Sequence, residues 1–252
     1  MGDDKGRPGK LIVSYPTHPA FLWAYLLVGI VVALLFSRFP VIIAESSNAP
    51  LALPLSTVAV LLVVLSPPLS FVNLVLARIR TGEVVTTLGI DYVEFFGVPI
   101  PIPRIRTMEL STILAINVGG ALVPVASSAI FAYLMLSSPF SRSFEVAAVV
   151  DVLVTSVIVY ALSRPVAGLG IVVPAFIAPL TAALVAVLVA GFGVAGASAA
   201  YIGGSIGSLI GADVLRLSRS VRDLRAPLLS IGGAGVFDGV FLSGVLAFVL
   251  AL

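Results

Sequence analysis

Ser208-Leu209-Ile210-Gly211-Ala212-Asp213 and Ser230-Ile231-Gly232-Gly233-Ala234-Gly235-Val236-Phe237-Asp238-Gly239 are the stretches on which the reading of this chain turns. The first closes an apolar helical run and the second opens another. The loop between them carries Arg216, Arg219, Arg222 and Arg225. Each stretch holds a single acid in uncharged surroundings. A carboxylate in or near hydrocarbon is costly, so an acid inside a membrane segment marks a functional site by default. Here two such acids, Asp213 and Asp238, belong to consecutive segments joined by one short loop.

The rest of the chain explains why hydrocarbon is the right surrounding. Of its 252 residues, 60% are hydrophobic and only 10% charged, with a mean hydropathy of +1.19. Soluble domains carry about 25% charge. Several apolar runs approach or exceed the ~18 residues expected of a spanning helix. The composition thus predicts an all-α polytopic membrane protein, with membrane lipids as its surroundings and no role in binding nucleic acid. There is no cysteine and a single histidine, His18, which removes thiolate chemistry and histidine-rich metal sites. No metal or other cofactor is expected. The 23 glycines suit helices that pack through small residues, since lipid supplies no hydrophobic drive between helices.

Seven spans are predicted, at about 20–36, 51–77, 110–136, 144–162, 169–190, 195–215 and 228–252. Residues 1–19 form an N-terminal tail, and 20–77 hold spans one and two. Residues 78–108 lie outside lipid, and 109–252 hold spans three to seven. With the N-terminus in the cytoplasm, alternation through seven spans leaves only Arg38 and Arg142 outside. The other 12 of the 14 basic residues fall inside, as the positive-inside rule requires. The C-terminus is then outside, in a multi-pass protein of the cell membrane. In 78–108, the β-branched and aromatic runs 83–87 and 90–96 predict a small cytoplasmic β-hairpin turning at Leu88-Gly89. Its edge is a candidate for pairing with an extended peptide. Pro99, Pro101 and Pro103 predict a polyproline-like exit.

Each site residue has two readings. Asp213 stands three residues before Arg216, so an i,i+3 ion pair at the interface competes with a functional role. Asp238 suits a helix N-cap after a glycine run. A helix from Asp238 to Leu252 covers ~21 Å of a ~30 Å core, which puts that acid below the surface. The glycines predict either close packing or irregular backbone lining a wetted cavity. Gly233, Gly235, Phe237 and Gly239 are the candidate substrate-binding positions. Asn117 predicts an interhelical hydrogen bond. Asp151, inside span four, is either an ion ligand or a satisfied structural acid. Tyr201, Gly203, Gly204, Gly207 and Gly211 read as a packing face.

Asn117-Val118-Gly119-Gly120-Ala121, Ile210-Gly211-Ala212-Asp213 and residues 230–239 resemble the signatures of an uncharacterised family of prokaryotic multipass membrane proteins, over most of 70–252. A remoter resemblance is to the presenilin and signal-peptide-peptidase type of intramembrane aspartyl protease. Those carry one Asp on span six and one on span seven, the latter after Gly-x-Gly-Asp, with a cytoplasmic joining loop. Gly235 matches the first glycine of that motif. Phe237 stands in place of the second, and Ala212 in place of the tyrosine that commonly precedes the first Asp.

Two carboxylates about 3 Å apart share a proton. One then activates water against a peptide carbonyl, and the other hydrogen-bonds that carbonyl. The expectation is a protease that cleaves membrane-protein or peptide substrates with Asp213 and Asp238. The alternative is an ion-coupled carrier using the same aspartates and glycine-broken helices. A non-catalytic scaffold is the third possibility. The oligomeric state is left open.

Overall fold

The computed structural model describes residues 8–13, 19–168, 170–220, 224, 226–233 and 239–252. Helix makes up 62% and strand 21%. The all-α expectation is therefore corrected: the segment between the second and third helical regions is the spine of a four-stranded sheet.

The chain enters with β1 (Leu11–Val13), then α1 (Pro19–Phe36), α2 (Phe39–Glu45) and α3 (Ala52–Leu69). Pro67 and Pro68 sit in the last turn of α3, where their missing backbone donors weaken the end of the helix. The expected second span thus ends early. The apolar residues after it form β2 (Val72–Phe95), and β3 (Val98–Asn117) follows. Short β-branched runs such as 72–77 and 110–117 suit a buried strand as well as a buried helix, and here the strand wins.

The strands of 24 and 20 residues pair antiparallel down to Phe95↔Val98. The turn is Phe96-Gly97, with φ of 52° and 79°, as a two-residue type I′ turn requires. The expected turn at Leu88-Gly89 is corrected, for these residues pair with Ile105 and Arg104 inside the ladder. Pro99, Pro101 and Pro103 stand opposite Glu94, Tyr92 and Ile90. In an antiparallel pair every second N–H points away from the partner. Alternating prolines therefore cost the ladder nothing when they occupy those outward positions, and they strip donors from an open edge.

β1 pairs with the base of β2, and β6 (Leu228–Ile231) runs parallel to β3, Ile113 opposite Leu228 and Ile116 opposite Ile231. The order is β1-β2-β3-β6, so β6 is an edge strand.

After β3 a π-helical turn, Val118–Leu122, leads into α4 (Val123–Leu136) and α5 (Ser141–Leu162). The small hairpin of β4 (Arg164–Val166) and β5 (Gly170–Val172) precedes α6 (Ile177–Ala190). Then α7 (Val194–Ser208) continues into a π-helical segment, Leu209–Arg216, and a last turn, α8 (Leu217–Ser220). α9 (Gly239–Ala251) follows β6. Among the described residues, five helical segments are long and apolar enough to cross a membrane: Leu26–Glu45, Ala52–Leu69, Val118–Leu136, Ser141–Leu162 and Val194–Ser220. α6 and α9 are shorter, at 14 and 13 residues. Strands and turns at 170–172 and 228–233 occupy part of what the sequence reads as spans five and seven.

α7 is the central helix, buried continuously from Ala195 to Ser205. Its Gly203 and Gly207, and Gly211 of the π-helical continuation, meet Asp151, Thr155 and Ser156 to Tyr160 of α5 in rising order, so the two helices run parallel. On another face Gly204 meets Ser243 and Gly196 approaches Ala251, so α9 runs antiparallel. The predicted glycine face is thus a real packing surface, with the four-residue spacing that lets membrane helices touch. Phe36, Phe39, Phe131, Tyr201 and Phe248 stack edge and face beside it. The Tyr201 hydroxyl is hydrogen-bonded to Ser127 Oγ at 2.7 Å.

Candidate functional site

The described parts of the three stretches singled out by sequence meet at one point, the end of the sheet. β3 closes on Asn117. Its Oδ1 accepts from Gly120 N–H at 2.7 Å, capping the π turn. Its Nδ2 donates to Ser70 O at 2.7 Å and to Asn73 Oδ1 at 3.1 Å. Asn117 is therefore a tie between the end of α3, the base of β2 and the turn after β3, rather than a bridge between two helices. Asn73 Oδ1 also accepts from Ser230 Oγ of β6 at 2.7 Å. Sequence reading passed over Asn73. Its signal was a lone amide within an apolar run, which buried hydrogen-bonding demand makes conspicuous.

β6 ends in a tight turn, with Gly233 N–H donating to Ser230 O at 2.9 Å. Gly232 holds a φ of +77° there, the left-handed value a type II turn needs at its third position. The Gly232 backbone presses on the Gly119-Gly120-Ala121 turn, where a Cβ would lie 2.6 Å from that of Ala121. Gly232 N–H then donates to Asp213 Oδ2 at 2.9 Å. So Asp213 is fixed by the glycine turn. Among the described residues it forms no ion pair with Arg216, contrary to the i,i+3 alternative.

Asp213 also lines a cavity of about 200 Å³. One wall is β5 and the residues after it, Ile171 to Ala175. The other combines Ser208, Ala212 and Asp213 with Gly239, Val240 and Ser243 at the start of α9. The antiparallel packing of α7 and α9 explains this meeting, since it brings the start of α9 beside the end of α7. Asp238, Gly235 and Phe237 lie outside the described residues. Gly239, the residue after Asp238, is on the cavity wall. Gly233 is part of the turn and does not line it. Ser208 and Ser243, both buried, were not anticipated; small hydroxyls in a glycine-rich helix read as packing.

Asp151 lies elsewhere. It is fully buried in the α5–α7 contact. Thr155 Oγ1 donates to its Oδ1 at 2.9 Å, and Oδ2 has no hydrogen-bond partner among the described residues. Asp151 faces Gly203 of α7, ten residues before Asp213, which sets the two acids about 15 Å apart along the helix axis.

These features define a helical bundle of membrane-spanning dimensions with a sheet-capped acidic cavity at one end. A family model described as "Protein of unknown function (DUF1614)" matches residues 68–250. The chain belongs to this family, in keeping with the resemblance read from the three stretches. No curated protein and no solved structure matches the chain, so the presenilin-type resemblance gains no support from these comparisons.

Proposed function

We propose that this protein is an intramembrane aspartyl protease in which Asp213 and Asp238 form the catalytic pair. One observation carries the reading: Asp213, anchored by Gly232, lines the same cavity as Gly239. Gly239 is the residue that directly follows Asp238 in the chain.

In the reaction, one carboxylate takes a proton from water as the water oxygen attacks the peptide carbonyl carbon. The other, protonated, donates to the carbonyl oxygen. The tetrahedral intermediate then collapses, the C–N bond breaks, and the leaving nitrogen takes a proton. One water is consumed, and a new carboxyl and a new amino terminus appear. Ser208 and Ser243 offer hydroxyls to the cavity. Substrate enters extended, pairing with the edge of β6, where main-chain hydrogen bonds supply affinity. That edge leads through Gly232 to Asp213, whereas the 83–96 edge belongs to the long ribbon of β2 and β3.

The two shorter apolar helices complete seven crossings. A 13-residue helix spans only ~20 Å of a ~30 Å core. The β6 turn and Asp213 then sit below the membrane surface, on the cytoplasmic side by the positive-inside rule. The setting is the cell membrane, with lipids and a membrane-embedded peptide as partners.

A second reading, an ion-coupled carrier, draws on a different residue. Asp151 is a fully buried acid with an oxygen that has no hydrogen-bond partner among the described residues, placed mid-helix, as transport sites often are.

The test is cleavage of transmembrane peptides by purified wild type, Asp213→Asn and Asp238→Asn. Each change is expected to slow cleavage by about 10²–10⁴-fold, with Asp151→Asn retaining activity. Equal cleavage by wild type and both variants sinks the proposal. Ion flux in liposomes that needs Asp151, without proteolysis, establishes the carrier instead.

A further inference from the structure

Arg216 and Arg219 converge on one aromatic ring. Tyr160 is in the last turn of α5, half-buried. Gly211 lets the π-helical segment approach closely there, since a Cβ would lie 3.1 Å from Tyr160 N. The Arg216 Cζ is then 5.5 Å from the Tyr160 ring centroid and the Arg219 Cζ 5.3 Å. An Arg219 Nη1 donates to the Tyr160 hydroxyl. Cation–π attraction favours each guanidinium separately, but two like charges sharing a ring repel.

Nothing within the described residues offsets that repulsion. Among the described residues neither arginine has a carboxylate within 4.0 Å. The acid nearest in sequence, Asp213, is engaged by Gly232. Arg216 Nε is enclosed and has no hydrogen-bond partner among the described residues. A buried donor left unsatisfied costs free energy. An anion with several acceptor oxygens meets all three conditions: it neutralises the pair, takes the Nε proton and suits the forked guanidinium geometry.

We propose that Arg216, Arg219 and Tyr160 form a binding site for a phosphate-bearing anion, and that the phosphate is the headgroup of an anionic phospholipid. The position selects the source. The site lies where α5 and the α7 continuation end together, and both belong to segments long enough to cross a membrane. Headgroups occupy that level, and basic pockets between spanning helices hold them. This site is separate from the cavity of Asp213, and its occupancy is read without any cleavage assay.

The experiment titrates the detergent-solubilised full chain with short-chain phosphatidylglycerol, short-chain phosphatidylcholine and inorganic phosphate. Native mass spectrometry reads bound adducts. Phosphatidylglycerol is expected to bind best. Arg216→Gln and Arg219→Gln should each weaken it about tenfold or more, and Arg142→Gln, at an exposed position, should not. Arg216→Lys keeps the charge and guards against misfolding; it too should weaken binding, because the fork is lost. Equal phosphatidylglycerol binding by wild type and all three site variants overturns the site. Inorganic phosphate binding as tightly as phosphatidylglycerol, with the same dependence on both arginines, overturns the headgroup assignment.

Discussion

Gly232→Val should lower the stability of the protein by about 2–6 kcal/mol, the sum of backbone strain at a left-handed position and overpacking. At φ +77° a β-branched residue is a conformational outlier. Its Cβ would also lie 2.6 Å from Ala121 Cβ, 2.7 Å from Ala121 N and 2.7 Å from Gly120 C. Two of those three neighbours are backbone, so no rotamer change relieves the contact. The turn must move, and with it the N–H that holds Asp213. The measurement is thermal unfolding in detergent. Gly239→Val is the control, because no atom of the described residues lies within 4 Å of a Cβ added at Gly239. A melting temperature for Gly232→Val equal to that of the control contradicts the described turn.

The second large effect belongs to the α5–α7 contact. A Cβ at Gly203 would overlap the Asp151 carboxyl carbon and both its oxygens. Asp151 is fully buried and short, so its carboxyl has little room to withdraw. Gly203→Ala is expected to cost about 1–3 kcal/mol. Asp151→Ala vacates the same volume, and the new methyl fills part of it. The double variant should therefore be more stable than the sum of the single effects by about 0.5–3 kcal/mol. Thermal unfolding of all four proteins checks this. Strict additivity would mean that Gly203 and Asp151 do not touch.

Much of this architecture was legible in the chain, and the failures have physical causes. The glycine spacing at 203, 207 and 211 announced a helix contact because few other sequences let backbones approach so closely in lipid. The three signature stretches were recognisable separately. Their convergence was not, because Ser230 to Asn73 and Gly232 to Asp213 are long-range contacts that no local pattern encodes. Helix ends near the sheet were misread for a related reason. Residues 72–77 and 110–117 are apolar enough for lipid and branched enough for strands, and the strand pairing of β1, β2, β3 and β6 decides between them. The turn at Phe96-Gly97 lacked the Asn-Gly or Asp-Gly signal that marks tight hairpins. Pro99, Pro101 and Pro103 argued against a strand until their even spacing put all three on the side of β3 where no ladder donor is lost. Asp151 was visible as an acid in a span, but only the burial of α7 shows that its carboxyl presses on Gly203.

The account rests on Asp213 and Asp238 converging at one cavity, and the absence of native cysteine allows a direct measurement. Asp213→Cys/Asp238→Cys, treated in membranes with a short bifunctional thiol reagent, is to be compared with Asp151→Cys/Asp213→Cys, whose sites lie about 15 Å apart along the bundle. The account predicts a rapid intramolecular crosslink in the first pair and none in the second. No crosslink in the first pair, while single cysteines at 213 and 238 each react with the reagent, would contradict it.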